Sequence, residues 1–133
     1  MLELLVVAAG GGLGAAARFM VDGEVRARHN SGFPWGTFVV NVAGSFLIGV
    51  FSALFFALVP WNDTAQLLRI ALITGLCGGF TTFSTTTVES VRLARSGRMR
   101  LALANSLGTL AVTVTAAALG AALVVLVVGG LFA

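Results

Sequence analysis

Apolar residues run almost unbroken through four stretches of the chain, at about 2–20, 36–60, 67–95 and 101–131, with short polar connections between them. A helix needs about 20 apolar residues to cross a hydrocarbon layer of roughly 30 Å, and each stretch approaches or exceeds that length. The pattern predicts an all-α membrane protein, a single domain over 1–133 with four transmembrane helices. The third stretch is interrupted at 75–81, where Gly75, Gly78 and Gly79 lead into Thr81 and Thr82. Unpaired backbone groups in hydrocarbon cost several kcal/mol each, so a helix broken at mid-membrane must face protein, a cavity or an ion. Its two halves, about 67–75 and 82–95, direct carbonyls and N–H groups respectively into the break. Such opposed helix ends can bind a cation and an anion within a few residues of each other.

The polar residues inside the spans keep helical register. Thr37, Asn41 and Ser45 lie at i, i+4 and i+8 in the second span, and Asn105, Thr109 and Thr113 repeat the device in the fourth. One such residue is explained by interhelical hydrogen bonding; three in line predict the wall of a polar path. Gly10 and Gly14 share one face of the first span, where they admit a second helix at close range. Arg18 ends that span, either as an interfacial anchor or as a group drawing anions to a pore mouth. The residues at 21–34, with Asp22, Glu24, Arg26, Arg28 and His29, read as a solvated connection. Asp63 and Thr64 are the cap candidates for the third helix.

Composition agrees with the pattern, since 58% of the 133 residues are hydrophobic and the mean hydropathy is +1.02. The net charge of +3 comes from arginines that flank the spans, which is membrane placement and argues against a nucleic-acid partner. Cys77 and His29 are the only residues of their kinds, leaving no intrachain disulfide and no Cys/His cluster for zinc. Paired carboxylates and nucleophilic triads are absent, so an enzyme is excluded. The membrane inventory is rich in donors and poor in acids: Asn41, Asn105, Thr37, Thr82, Ser84, Thr85, Thr109 and Thr113, with the ring edge of Phe83. That lining suits a small, strongly hydrated anion. A proton-coupled multidrug exporter, the alternative at this size, needs a first-span acid that is missing.

Gly11-Gly12-Leu13-Gly14-Ala15 with Arg18, Gly36-Thr37 leading to Val40-Asn41 and Gly44-Ser45-Phe46, and Gly75 through Thr85 together resemble the Fluc (CrcB) fluoride channel family. The resemblance covers all four spans, and Thr81-Thr82-Phe83-Ser84-Thr85 after paired glycines is its most specific part. It implies an antiparallel dimer of four-span subunits in the plasma membrane that exports fluoride passively. It also implies a structural sodium ion at the dimer axis, held by the backbone carbonyls of Gly78 and Thr81 from each subunit. By the same resemblance Asn41, Phe83, Ser84 and Thr85 line the pore; the polar stripes predict that Thr37, Ser45, Asn105, Thr109 and Thr113 continue it, with Arg18 at the vestibule.

One position departs from the family pattern: Thr86 stands where a second pore phenylalanine is usual. The arginines are also lopsided. Arg18, Arg26, Arg28, Arg92, Arg95, Arg98 and Arg100 fall on one side of a four-span topology and only Arg69 on the other. Basic span flanks favour the cytoplasm, so the count predicts one fixed orientation with both termini outside. An antiparallel homodimer needs a subunit that inserts both ways. Both features are explained if this chain pairs, in the lipid bilayer, with an oppositely inserted paralogue, as a one-pore or non-conducting half of a heterodimer.

Overall fold

The computed structural model describes residues 1–29 and 31–131, and among them all regular structure is helical. Four helices are long and apolar enough to cross a membrane: Leu2–Arg28, Trp35–Leu58, Asp63–Arg95 and Met99–Leu131. The first continues well past Met20, so the polar residues 21–28 form two further helical turns. Asp22 and Arg26 stand four apart and pair on that extension, which is how a charged sequence stays helical beyond the hydrocarbon. Arg18 is consequently inside a helix instead of ending one.

The third helix is capped by Asn62, whose side chain accepts from the Ala65 N–H at 2.8 Å, one residue before the two cap candidates. Its residues Ile70–Cys77 are π-helical, and Gly78–Phe80 make a further α turn. The glycines are therefore helical, and extended backbone is confined to Thr81 (φ −78°, ψ 160°) and Thr82 (φ −150°, ψ 116°). Thr82 then caps the resumed helix Phe83–Arg95, accepting from the Thr85 N–H at 3.2 Å. That helix closes on Gly97, whose φ of 77° lets Arg98 N–H reach the Leu93 carbonyl at 2.9 Å.

Packing uses glycine wherever backbones touch. The first helix lies on the glycine-rich part of the third: a Cβ on Gly10 would fall 2.6 Å from the Ala71 carbonyl oxygen, and one on Gly14 would fall 2.8 Å from the Phe80 nitrogen. The second and fourth helices form a comparably extensive pairing. There a Cβ on Gly49 would strike the Ala117 carbonyl and one on Gly120 the Phe46 carbonyl. Such contacts replace the hydrophobic effect, which offers little between helices in lipid. The Gly14→Val subunit should lose about 1–3 kcal/mol through overpacking. Gly12→Val, whose added carbon meets nothing within 4 Å, should melt like the parent in detergent. Equal melting of the two variants would contradict the packing described.

Candidate functional site

Everything at the centre follows from the two extended residues. In an unbroken helix the Thr82 N–H would bond to the Gly78 carbonyl; here it donates to Asn41 Oδ1 at 2.7 Å. Asn41 returns both amide hydrogens, to the Thr82 carbonyl at 3.0 Å and to Thr86 Oγ1 at 2.8 Å. The side chain, only 6% exposed, thus stands in for the backbone partner that the interruption removes. Thr81 keeps its bond to the Cys77 carbonyl at 2.9 Å, and its own carbonyl accepts from Arg18 Nη1 at 3.3 Å. Arg18 therefore reaches inward to the interruption, where the sequence offered an anchor or a vestibule charge.

Thr86 is a hub. Its hydroxyl accepts from Asn41 and donates to the Thr82 carbonyl at 3.1 Å, while its carbonyl accepts from Asn105 Nδ2 at 3.1 Å. Asn105, fully buried, also donates to Ser90 Oγ at 2.9 Å. Thr82, Thr86 and Ser90 are themselves spaced i, i+4 and i+8, a third polar stripe that the same counting would have found in the sequence. The stripes of the second and fourth helices meet on it.

Two clefts flank this hub. A cleft of about 450 Å³ is lined by Asn41, Ser45, Phe83, Thr86, Thr109 and Thr113, and no carboxylate faces it. A smaller one of about 280 Å³ holds Arg18, Asp22, Thr37, Thr82 and Thr85. The second-helix stripe is thereby divided, with Thr37 on the Arg18 side, Ser45 in the larger cleft and Asn41 between them. Ser84 lies with Thr85 at a third opening, beside Arg26, Glu89 and Arg92. Asn105 lines none of these clefts. Phe83, on the rim of the larger cleft, is 87% exposed.

Donor capacity separates these residues further. Asn41 has spent both hydrogens, and the Thr113 hydroxyl donates to the Leu110 carbonyl at 3.0 Å. The Thr109 hydroxyl is buried without a partner among the described residues, and Thr85 Oγ1 accepts from Thr82 at 3.0 Å, leaving its own hydrogen uncommitted. An ion-paired cluster that polarity alone assigned to solvent also borders the site. Arg26 binds Asp22 Oδ1 at 2.7 Å, Glu89 Oε1 at 2.6 Å and Thr37 Oγ1 at 3.2 Å, tying three helices together.

The described residues contain no group of three His, Cys, Asp or Glu side chains that could hold a metal. Backbone oxygens are a different matter. The Gly78 carbonyl has lost its helical donor to Asn41, and the Thr81 carbonyl retains one lone pair beside Arg18. Both fit the demands of a hard cation that takes oxygen ligands.

Sequence similarity to known proteins extends across nearly the whole chain. A family model described as "CrcB-like protein, Camphor Resistance (CrcB)" matches residues 5–121. Fluoride-specific ion channel FluC 1 of Frankia casuarinae is 43% identical over 92% of this chain and 95% of its own. Fluoride-specific ion channel FluC of Nitrobacter winogradskyi is 43% identical over 85% and 87% respectively. The FluC channel of Ruminiclostridium cellulolyticum is 38% identical over 90% of each chain. With four membrane-crossing helices, glycine-packed spans and a family match over most of its length, the chain belongs to the CrcB family.

Proposed function

We propose that the protein is a fluoride-specific ion channel, not an enzyme, spanning the plasma membrane several times and letting fluoride leave the cell passively. The observation that carries this reading is the carboxylate-free cleft where three hydroxyl and amide stripes converge on Thr82, Thr86 and Asn41. A small anion crossing a membrane must exchange its water for donors, and a negative wall would repel it. Thr109 and Thr85 have hydroxyl hydrogens to offer, and Phe83 adds a ring edge of positive polarity. Asn41 acts differently in this scheme, holding the interruption open for the donors around it. Arg18 supplies positive charge at the smaller cleft. The names of the relatives support fluoride as the ion.

The third helix works as a helix broken at mid-membrane, and the subunit as half of an antiparallel dimer. Gly78, Phe83, Ser84 and Thr87 are exposed on the single chain at a depth where lipid would leave polar groups without partners. A second subunit relieves this. The Gly78 and Thr81 carbonyls of each subunit would then hold a structural sodium ion, which supplies positive charge that pulls the two interruptions together. Thr86 supports a heterodimer over a homodimer. Residue 86 is a threonine whose hydroxyl accepts from Asn41, so this subunit offers one ring, Phe83, where the resembled pattern has two. An oppositely inserted paralogue would supply what one intact pore requires, and the seven-to-one arginine asymmetry fixes this chain's orientation.

Liposomes loaded with fluoride should discharge it when the protein, with its paralogue if the pair is required, is reconstituted, and Phe83→Ile should slow discharge at least tenfold. Chloride release at a comparable rate would contradict the assignment. Reporters fused to the C-terminus should signal from outside only; equal signals from both sides would restore a dual-topology homodimer.

A further inference from the structure

We propose that the arginine-rich end of the subunit binds the phosphate of an anionic phospholipid from the adjoining leaflet, in the cleft between His29, Gly32, Phe33 and Pro34 and the end of the third helix. All three carboxylates at this end already have an arginine partner, Asp22 and Glu89 sharing Arg26 and Glu24 pairing with Arg28. Arg92, Arg95, Arg98 and Arg100 therefore have no carboxylate partner among the described residues. Two of the four are placed at one opening. Arg92 lines a cleft of about 540 Å³ with His29, Phe33, Pro34, Leu93 and Ser96. Arg98 lies across Gly32 on the same rim, donating to its carbonyl at 3.3 Å with further guanidinium hydrogens to spare.

The chemistry is that of a phosphate diester carrying a hydrocarbon tail. Guanidinium groups present paired donors to phosphate oxygens, and Phe33, Pro34 and Leu93 give the cleft an apolar wall. Glu89 lies on the lining too; its Oε1 is held by Arg26, which it shares with Asp22, so one negative charge of the three remains against the positive charges of Arg92 and Arg98. The depth is right for a headgroup. Phe33 and Trp35 pack with ring centres 4.8 Å apart, Phe38 stands edge-on to Trp35 at 5.7 Å, and the indole N–H donates to Ser31 Oγ at 2.8 Å. Aromatic clusters of this kind sit at the membrane–water boundary. A free anion in water would have no use for the apolar wall, so the lipid is the occupant that uses every part of the cleft. The inference is independent of which ion the protein conducts.

Native mass spectrometry of the full-length protein, released from neutral detergent and titrated with phosphatidylglycerol or phosphatidylcholine of matched chains, tests it. Phosphatidylglycerol should be retained about 25-fold better. A single basic residue near an anionic lipid contributes roughly fivefold. Arg92→Gln with Arg98→Gln should therefore cut retention about 25-fold, whereas Arg95→Gln with Arg100→Gln should change it less than twofold. Should the double variant fail to assemble, Arg92→Gln alone gives the same reading at about fivefold. Equal retention of the two lipids, an unaffected Arg92→Gln protein, or displacement of the lipid by millimolar inorganic phosphate would overturn the proposal.

Discussion

The Asn41 side chain replaces a piece of backbone, and the rest of the subunit depends on that substitution. A helix interrupted among other helices leaves the groups of Thr82 without their regular partners, and one buried unsatisfied group costs about 1–3 kcal/mol. Asn41 presents an acceptor and two donors in the plane of an amide, which matches an N–H and C=O of the same residue. Its remaining hydrogen goes to Thr86, and through Thr86 the network reaches Asn105 and the fourth helix. Three helices are thereby fixed around two extended residues. The open clefts on either side are a consequence of this fixing.

Close packing supplies the frame in which so short an interruption stays put. Because Gly10 and Gly14 admit the third helix to backbone contact, the segment preceding Thr81 is held along its length. Gly49 and Gly120 do the same for the second and fourth helices, which carry the two asparagines. Of the two π-helical segments, Ile70–Cys77 packs on the first helix and Ala104–Gly108 on Phe83–Arg95. A π turn shifts register by one residue, which redirects every side chain after it. In the fourth helix that turn contains Asn105 and ends just before Thr109.

Much of this was legible in residue order, and what was not has identifiable causes. Length and apolarity mark the four helices, and i, i+4 spacing puts Asn41 and Asn105 on inward faces, because both signals depend only on local geometry. The extent of the first helix was not legible from polarity, since Asp22 and Arg26 look like a loop until their pairing on a helix is considered. The break looked wider than two residues because glycine is a poor helix former in isolation. Here Gly75 and Gly79 are helical against the backbone of Gly10 and Gly11. Spacing could place Asn41 on the path but could not tell a donor that faces an ion from one already spent on Thr82 and Thr86. That distinction depends on contacts between residues about forty positions apart.

Position 86 joins the two levels. As a sequence feature, Thr86 is a missing ring; in the structure it is the acceptor that completes the Asn41 amide and the carbonyl that anchors Asn105. The central claim is that this network, and not a charge or a titrating acid, maintains the path. Asn41→Asp is the most direct test, because a carboxylate keeps the size of the amide and its acceptor while losing both donors and adding negative charge. Fluoride efflux and thermal unfolding measured on the same reconstituted preparation should show at least a tenfold loss of flux together with a stability loss of about 1–3 kcal/mol. An Asn41→Asp protein that melts and conducts like the parent would contradict the account.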